Sequence, residues 1–140
     1  MPLALTAVVV LVADQAVKLL LRRTGLFEGV RWGPYGSLRI VAGRLWLHRF
    51  TRGPNPLWLW VPSAGALVVG SAWIPSAGVF VGLLLGGSLS NAAERSLRGS
   101  VTDYVCVRFW PAFNLADVAL AAGAIGIVIE LLRTIGETVA

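Results

Sequence analysis

Four long apolar runs, at 3–21, 57–74, 77–93 and 112–135, dominate the chain, and the charged residues fall mainly between them. Each run is roughly 17 to 24 residues long, which is what a helix rising 1.5 Å per residue needs to cross a hydrocarbon core about 30 Å thick. The pattern predicts an all-α membrane protein, a four-transmembrane-helix bundle built as one domain over 1–140. The first run is broken only by Thr6, Asp14, Gln15 and Lys18, and the second contains Pro62. The third holds a glycine-rich stretch at 82–87 and then Asn91, and the fourth carries Asn114, Asp117, Glu130 and Arg133. The Gly, Ala and Ser of the last two runs suit close helix packing in lipid.

The connections are unequal. The first, 22–56, is long and arginine-rich; Pro75 and Ser76 make a tight turn; and 94–111 is polar and of medium length. Within the first, 37–42 and 44–51 alternate as strands do, with Ala42-Gly43 as a turn. The expectation is a small β-element at about 36–52, in the first long loop at the membrane surface. Consecutive spans run antiparallel, so the first and third connections emerge on the same side. Asp14 and Lys18 approach that side from span one, Asn91 and Arg95 from span three, and Asn114 and Asp117 leave it at the start of span four. Asp103 lies in the third connection itself.

Composition agrees with the pattern. The chain is 56% hydrophobic and 14% charged, against about 25% charged in a soluble domain. The net charge of +5 is carried by residues between the apolar runs, where arginines meet lipid phosphates. No basic helix or aromatic stacking sheet is readable, so a nucleic-acid partner is not expected. One cysteine, Cys106, and one histidine, His48, leave no disulfide framework and no Cys- or His-rich metal site. The N-terminus lacks the basic n-region of a cleavable signal, and its apolar run continues past Asp14 to Leu21. Trp58, Trp60 and Trp73 read as interfacial anchors.

An ionisable group inside a span is costly and points to function. Asp117 has Asn114 three residues before it on the same helical face. Asp103 precedes it by a segment short enough to fold back. Two carboxylates meeting at the mouth of a bundle cannot both ionise easily and share a proton. The ionised one can take a proton from water, and the protonated one can polarise a peptide carbonyl. Taken singly, Asp117 is equally a helix N-terminal acid favoured by the dipole, and Asp103 a solvated loop acid.

Four local words bear on that choice. Gly86-Gly87-Ser88-Leu89-Ser90-Asn91-Ala92-Ala93-Glu94-Arg95 resembles the GG-x-x-x-N-x-x-[DE]-R region of lipoprotein signal peptidases, the signal peptidase II family. Gly99-Ser100-Val101-Thr102-Asp103-Tyr104-Val105 resembles the family's G-x-V-x-D-[FY]-[IV] word, and Phe113-Asn114-Leu115-Ala116-Asp117-Val118-Ala119 its F-N-x-A-D-x-A word. Asp14-Gln15-Ala16-Val17-Lys18 resembles the D-Q-x-x-K word of the first helix. The resemblance covers nearly the whole chain. It implies a membrane aspartic endopeptidase with Asp103 and Asp117 as catalytic dyad, and Asn91, Arg95 and Asn114 orienting dyad and substrate. Asp14 and Lys18 would be a structural pair, or, on a blander reading, an interfacial salt bridge with a snorkelling lysine. It further implies a diacylglyceryl-modified prolipoprotein substrate cut before the lipidated cysteine, contact with membrane lipids, a monomer, and no metal or other cofactor. The place implied is the bacterial inner membrane, multi-pass, with the active site on the outer face.

Two features depart from the family. Its asparagine-glycine word of N-x-G-A-A-F type is missing after helix one, where the chain reads Leu38-Arg39-Ile40-Val41-Ala42-Gly43-Arg44-Leu45-Trp46. Glu94 stands where aspartate is commoner. Connections one and three also hold ten arginines (22, 23, 31, 39, 44, 49, 52, 95, 98 and 108) against Arg133 alone on the other side. The positive-inside rule would place those connections in the cytoplasm, opposite to the orientation that the resemblance implies. Two other functions stay open: a non-catalytic or specialised relative that binds lipidated or helical membrane peptides, and a small proton-coupled transporter using Asp14 and Asp117.

Overall fold

The computed structural model describes residues 2–25, 29–42 and 56–139, and no side chain at 42 or 56. In chain order the elements are helix α1 (Pro2–Thr24), strand β1 (Gly36–Ala42), helix α2 (Pro56–Ser71), helix α3 (Gly78–Arg98), strands β2 (Thr102–Val107) and β3 (Trp110–Phe113), and helix α4 (Leu115–Val139). A short 3₁₀ turn over Pro75–Ala77 joins α2 to α3, at the tight turn expected there.

The helices are inverted relative to a soluble bundle. The largest fully buried side chains are Lys18, Asn114, Asp14, Asp103 and Ser90, all polar. Leu5, Val8, Val9 and Val12 of α1 and Ile125, Val128, Leu132 and Ile135 of α4 face outward. Only a lipid solvent makes that distribution favourable, because exposed apolar surface is then not in water and buried polar groups satisfy one another. Among the described residues, three helical stretches are long and apolar enough to cross a membrane: Pro2–Thr24, Pro75–Arg98 and Leu115–Val139. α2, at 16 residues, is apolar but shorter. The protein is a multi-pass membrane protein with a small sheet.

α3 is the central helix and packs on α1, α2 and α4. Its glycines set the approach. A Cβ on Gly82 would lie 2.6 Å from the Leu3 carbonyl oxygen, and one on Gly86 2.5 Å from that of Ala7, so α1 sits directly on the α3 backbone. On the other side a Cβ on Gly87 would lie 2.6 Å from the Ala116 oxygen, at the start of α4. Such small-residue contacts replace the hydrophobic effect as the packing force between helices in lipid. α3 ends at Gly99, whose φ of 75° is a left-handed C-terminal cap with its N–H on the Arg95 carbonyl at 2.9 Å.

The sheet corrects one expectation. β1 lies within the predicted β-element, and the remainder of that element, including Arg44, Trp46, His48 and Arg49, is outside the described residues. β1 pairs with β2 of the third connection, with Val41 opposite Asp103 and Ala42 opposite Thr102. β2 pairs in turn with β3, giving an antiparallel sheet of order β1-β2-β3. The third connection is therefore not a loop. α3 runs five residues past the expected end of its span, from 93 to Arg98, and Thr102–Val107, with β-branched Thr102, Val105 and Val107, then forms the central strand. Pro111 sits in β3, an edge strand, where its missing N–H costs no ladder bond.

Candidate active site

The site is organised by the start of α4, whose first N–H groups have no partner within the helix. Each finds one elsewhere. The Leu115 N–H donates to the Tyr104 hydroxyl oxygen at 3.0 Å, and the Ala116 N–H to Asp14 Oδ1 at 3.0 Å. The Asp117 N–H donates to Asn114 Oδ1 at 2.9 Å, while the Asn114 N–H returns to Asp117 Oδ2 at 3.1 Å. That is a reciprocal capping box with Asn at the cap and Asp three residues on. α1, β2 and the cap residue thus all hold one helix end, and Asp117 is fixed in its first turn. Burial pushes the Tyr104 phenol up to about 12, so it stays neutral and able to accept.

Asn114 also reaches the second carboxylate. Its Nδ2 donates to Asp103 Oδ1 at 2.8 Å, with Asn91 Oδ1 at 3.3 Å and the Thr102 carbonyl at 3.4 Å nearby. Asn91 donates through its own Nδ2 to Asp117 Oδ1 at 2.9 Å. Asp103, on β2, is only 1% exposed, and Asp117 is half-buried. Asp103 is pushed up to about 6, first by burial and then by the negative charge of Asp117, against the hydrogen bond from Asn114.

Behind the two carboxylates lies a buried ionic network. Lys18 is fully buried and places its Nζ 2.7 Å from Asp14 Oδ2, 3.0 Å from Glu94 Oε2 and 3.0 Å from Asn91 Oδ1. Its three donors are all used, so it does not snorkel. Asp14 Oδ2 also accepts from Ser90 Oγ at 2.6 Å. Glu94 takes Arg22 Nη1 and the Thr102 hydroxyl on Oε1, and the Thr102 N–H on Oε2 at 3.1 Å. Two acids, Asp14 and Glu94, meet two bases, Lys18 and Arg22, so the buried charges cancel before the Asp103 and Asp117 pair is counted.

Of the residues singled out in the sequence, Asp103, Asp117, Asn91, Asn114, Asp14 and Lys18 join one continuous hydrogen-bonded network. Arg95 does not join it. It lies in the last turn of α3, where a basic side chain suits the carbonyl end of the helix, and its side chain makes no hydrogen bond or ion pair among the described residues. The network also recruits Glu94, Thr102, Ser90, Arg22 and Tyr104, which the sequence did not nominate. Glu94 and Tyr104 had a signal, as the [DE] of the N-x-x-[DE]-R word and the [FY] of the G-x-V-x-D-[FY]-[IV] word. Trp60, read as an interfacial anchor, spends its indole N–H on Ser88 Oγ at 2.8 Å, inside the bundle.

The family model described as signal peptidase (SPase) II matches residues 6–133. The chain belongs to the signal peptidase II family. A lipoprotein signal peptidase of Methylobacterium radiotolerans is 31% identical over 95% of this chain and 86% of its own length. One from Nitrobacter hamburgensis is 32% identical over 91% and 90%. One from Methylorubrum extorquens is 40% identical over a shorter stretch, 54% of this chain and half of its own length. Among solved structures, a bacterial membrane enzyme determined by the in meso method at 2.3 Å superposes with a TM-score of 0.67 at 22% identity, covering 92% of this chain and 86% of that one. That likeness shows that the chain shares the fold of that enzyme. As a family member the chain is a peptidase.

Proposed function

We propose that the chain is an aspartic endopeptidase that removes signal peptides from diacylglyceryl-modified prolipoproteins, cutting before the lipidated cysteine. The observation that carries the aspartic reading is Asn114, one residue bonded to both carboxylates. Both oxygens of Asp117 accept N–H bonds, as the acceptor-only ionised form does. Asp103, raised to about 6, is the member that holds the shared proton.

In the proposed reaction a water lies between the two carboxyl groups. Asp117 takes its proton as the water oxygen attacks the scissile carbonyl carbon. Asp103 gives its proton to the carbonyl oxygen, and a tetrahedral diol forms. The C–N bond then breaks, Asp117 returns a proton to the departing amine nitrogen of the cysteine residue, and Asp103 recovers one from the collapsing diol. An apolar groove of about 360 Å³ between α2, α3 and α4, lined by Leu59, Trp60, Leu67, Leu85, Ala92 and Leu120, suits the apolar part of such a substrate. Its α3 wall, which includes Leu85 and Ala92, belongs to the helix that also carries Asn91.

The active site belongs, on this reading, on the outer face of the bacterial inner membrane, where signal peptides are released. The test is cleavage by the purified full chain of a diacylglyceryl-modified prolipoprotein and of its unlipidated form, with products identified by mass. The lipidated form should yield a signal peptide ending at the residue before the cysteine. Equal cleavage of both forms would contradict the substrate assignment, and cleavage of neither would contradict the peptidase reading.

A further inference from the structure

The far end of the sheet carries a feature that the proposed chemistry does not use. Ser37 lies opposite Cys106 in the β1–β2 ladder and opposite Arg31 in an isolated antiparallel bridge, so Arg31, Ser37 and Cys106 form one row across the sheet. Ser37 and Arg39 of β1, Cys106 of β2 and Arg108 just after β2 line the same face. That shared face is a pocket of about 320 Å³. Its floor is small, made by Gly33, Gly36, Ser37 and Cys106, and its walls are Arg31, Arg39 and Arg108. Gly36 keeps the floor low, since a Cβ there would stand 3.0 Å from the Cys106 carbonyl oxygen and from the Trp32 ring. No acidic residue lines the pocket, and no described acid forms an ion pair with these arginines.

Exposed aromatics surround it. Trp32 and Tyr35 stand at the turn before β1, and Phe109 and Trp110 at the turn between β2 and β3. The two turns are tied together by the Arg108 N–H on the Tyr35 carbonyl at 3.0 Å. Arg108 also lies over the Phe109 ring, 5.2 Å from its centroid. Trp and Tyr around a basic concavity, in a protein whose helices cross the bilayer, are the composition of a surface seated at lipid headgroups.

We propose that this face of the sheet binds the phosphodiester of an anionic phospholipid in the surrounding bilayer. The guanidinium groups offer paired N–H donors to phosphate oxygens, the small floor admits the phosphate, and the aromatic rim rests among the headgroups. The site is separate from the carboxylate pair and independent of the peptidase reading. Its occupant anchors the strand ladder, whose other end holds Asp103.

Native mass spectrometry of the full chain, released from detergent in the presence of phosphatidylglycerol or phosphatidylcholine, tests this. The wild type should retain phosphatidylglycerol in preference. The triple substitution Arg31→Gln, Arg39→Gln, Arg108→Gln should lower that retention on the order of a hundredfold and leave phosphatidylcholine unchanged, and the corresponding triple Lys variant, which keeps the charge but not the paired donors, should keep part of it. If the triple Gln variant does not fold, Arg108→Gln alone should still reduce the preference, because its backbone and not its side chain ties the turns. Undiminished retention in a folded Gln variant overturns the proposal. So does displacement of the lipid by millimolar inorganic phosphate, which would mark a site for soluble anions.

Discussion

Asn114 and Asp117 cap one another, the Asp117 N–H donating to Asn114 Oδ1 at 2.9 Å and the Asn114 N–H donating to Asp117 Oδ2 at 3.1 Å. The same asparagine reaches Asp103 through Nδ2 at 2.8 Å. Helix capping and carboxylate alignment are thus duties of one side chain, and two substitutions separate them. Asn114→Ala should cost about 1 kcal/mol of stability and lower cleavage about a hundredfold or more. Asn114→Ser should recover the cap, since a hydroxyl serves there, but is too short to reach Asp103. Thermal melts and cleavage rates of the two variants check this; equal activity in Ser and wild type would show that the Asp103 contact is dispensable.

The pH dependence follows from the position of Asp103. Its carboxyl is raised to about 6 from an ordinary 3.8, so the folded state binds the proton more tightly than the unfolded one. The resulting stability is fully present below about pH 4 and is lost as pH rises through about 6. Asp103→Asn should therefore be more stable than wild type at pH 8 and lose that advantage by pH 4, by about 1–2 kcal/mol once hydration at the site mouth is allowed for. Cleavage should fall on the alkaline side with an apparent pKa of the pair at or above that of Asp103. A melting temperature of the Asn variant below wild type at pH 8 would contradict the assignment.

Lys18 is held by Asp14, Glu94 and Asn91 with no exposure. Lys18→Met should leave one buried negative charge uncompensated, since Arg22 still pairs with Glu94, and destabilise the protein by about 3–5 kcal/mol. Adding Glu94→Gln to Lys18→Met restores the charge balance and should recover part of the loss. The fraction of folded protein recovered from membranes measures both, and no rescue in the double variant would show that Glu94 is not the charge at issue.

Gly87 faces the backbone that carries the capping box. A methyl group there would meet the Ala116 carbonyl oxygen at 2.6 Å and Leu120 at 3.1 Å, and backbone cannot turn aside as a side chain can. Gly87→Ala should destabilise by about 1–3 kcal/mol and, by shifting the start of α4, reduce cleavage on the order of a hundredfold. Gly65→Ala in α2, where nothing lies within 4 Å of the added methyl, should be neutral or stabilising. Parallel melts and rates decide whether the effect is specific to the α3–α4 contact.

Much of this arrangement was legible in the sequence, for physical reasons. Lipid demands long apolar runs, so α1, α3 and α4 announced themselves, and counting antiparallel spans brought Asp14, Asn91, Asp103 and Asp117 to one side. The sheet was harder. β1, β2 and β3 have seven, six and four residues, and β1 pairs with a strand two spans away, which no local periodicity encodes. Thr102, Val105 and Val107 are β-branched, but Thr102 and Asp103 are both polar and Tyr104–Val107 all apolar, so no alternation marked the segment as a strand. Partners such as Tyr104 for the Leu115 N–H or Thr102 for Glu94 depend on the fold and leave no spacing signal.

Orientation is testable because the arginine count and the family disagree. Four of the ten arginines on that side have structural employment: Arg22 in the ion pair with Glu94, and Arg31, Arg39 and Arg108 around the sheet pocket. That weakens their use as a topology signal. Arg98→Cys, at the exposed end of α3, in a Cys106→Ala background should react with an impermeant thiol reagent from outside intact cells. Reaction only after lysis would place the carboxylates on the cytoplasmic side.

The aspartic mechanism itself rests on Asp103 and Asp117 acting together. Each is changed to asparagine, whose oxygen can accept the Asn114 bond at Asp103 and one of the two N–H bonds at Asp117, and folded full-length variants are assayed on a diacylglyceryl-modified prolipoprotein. The account predicts that Asp103→Asn and Asp117→Asn each abolish cleavage, and that the double variant is no worse than either single one, because the pair acts as a unit. Near-wild-type cleavage by either single variant would contradict it.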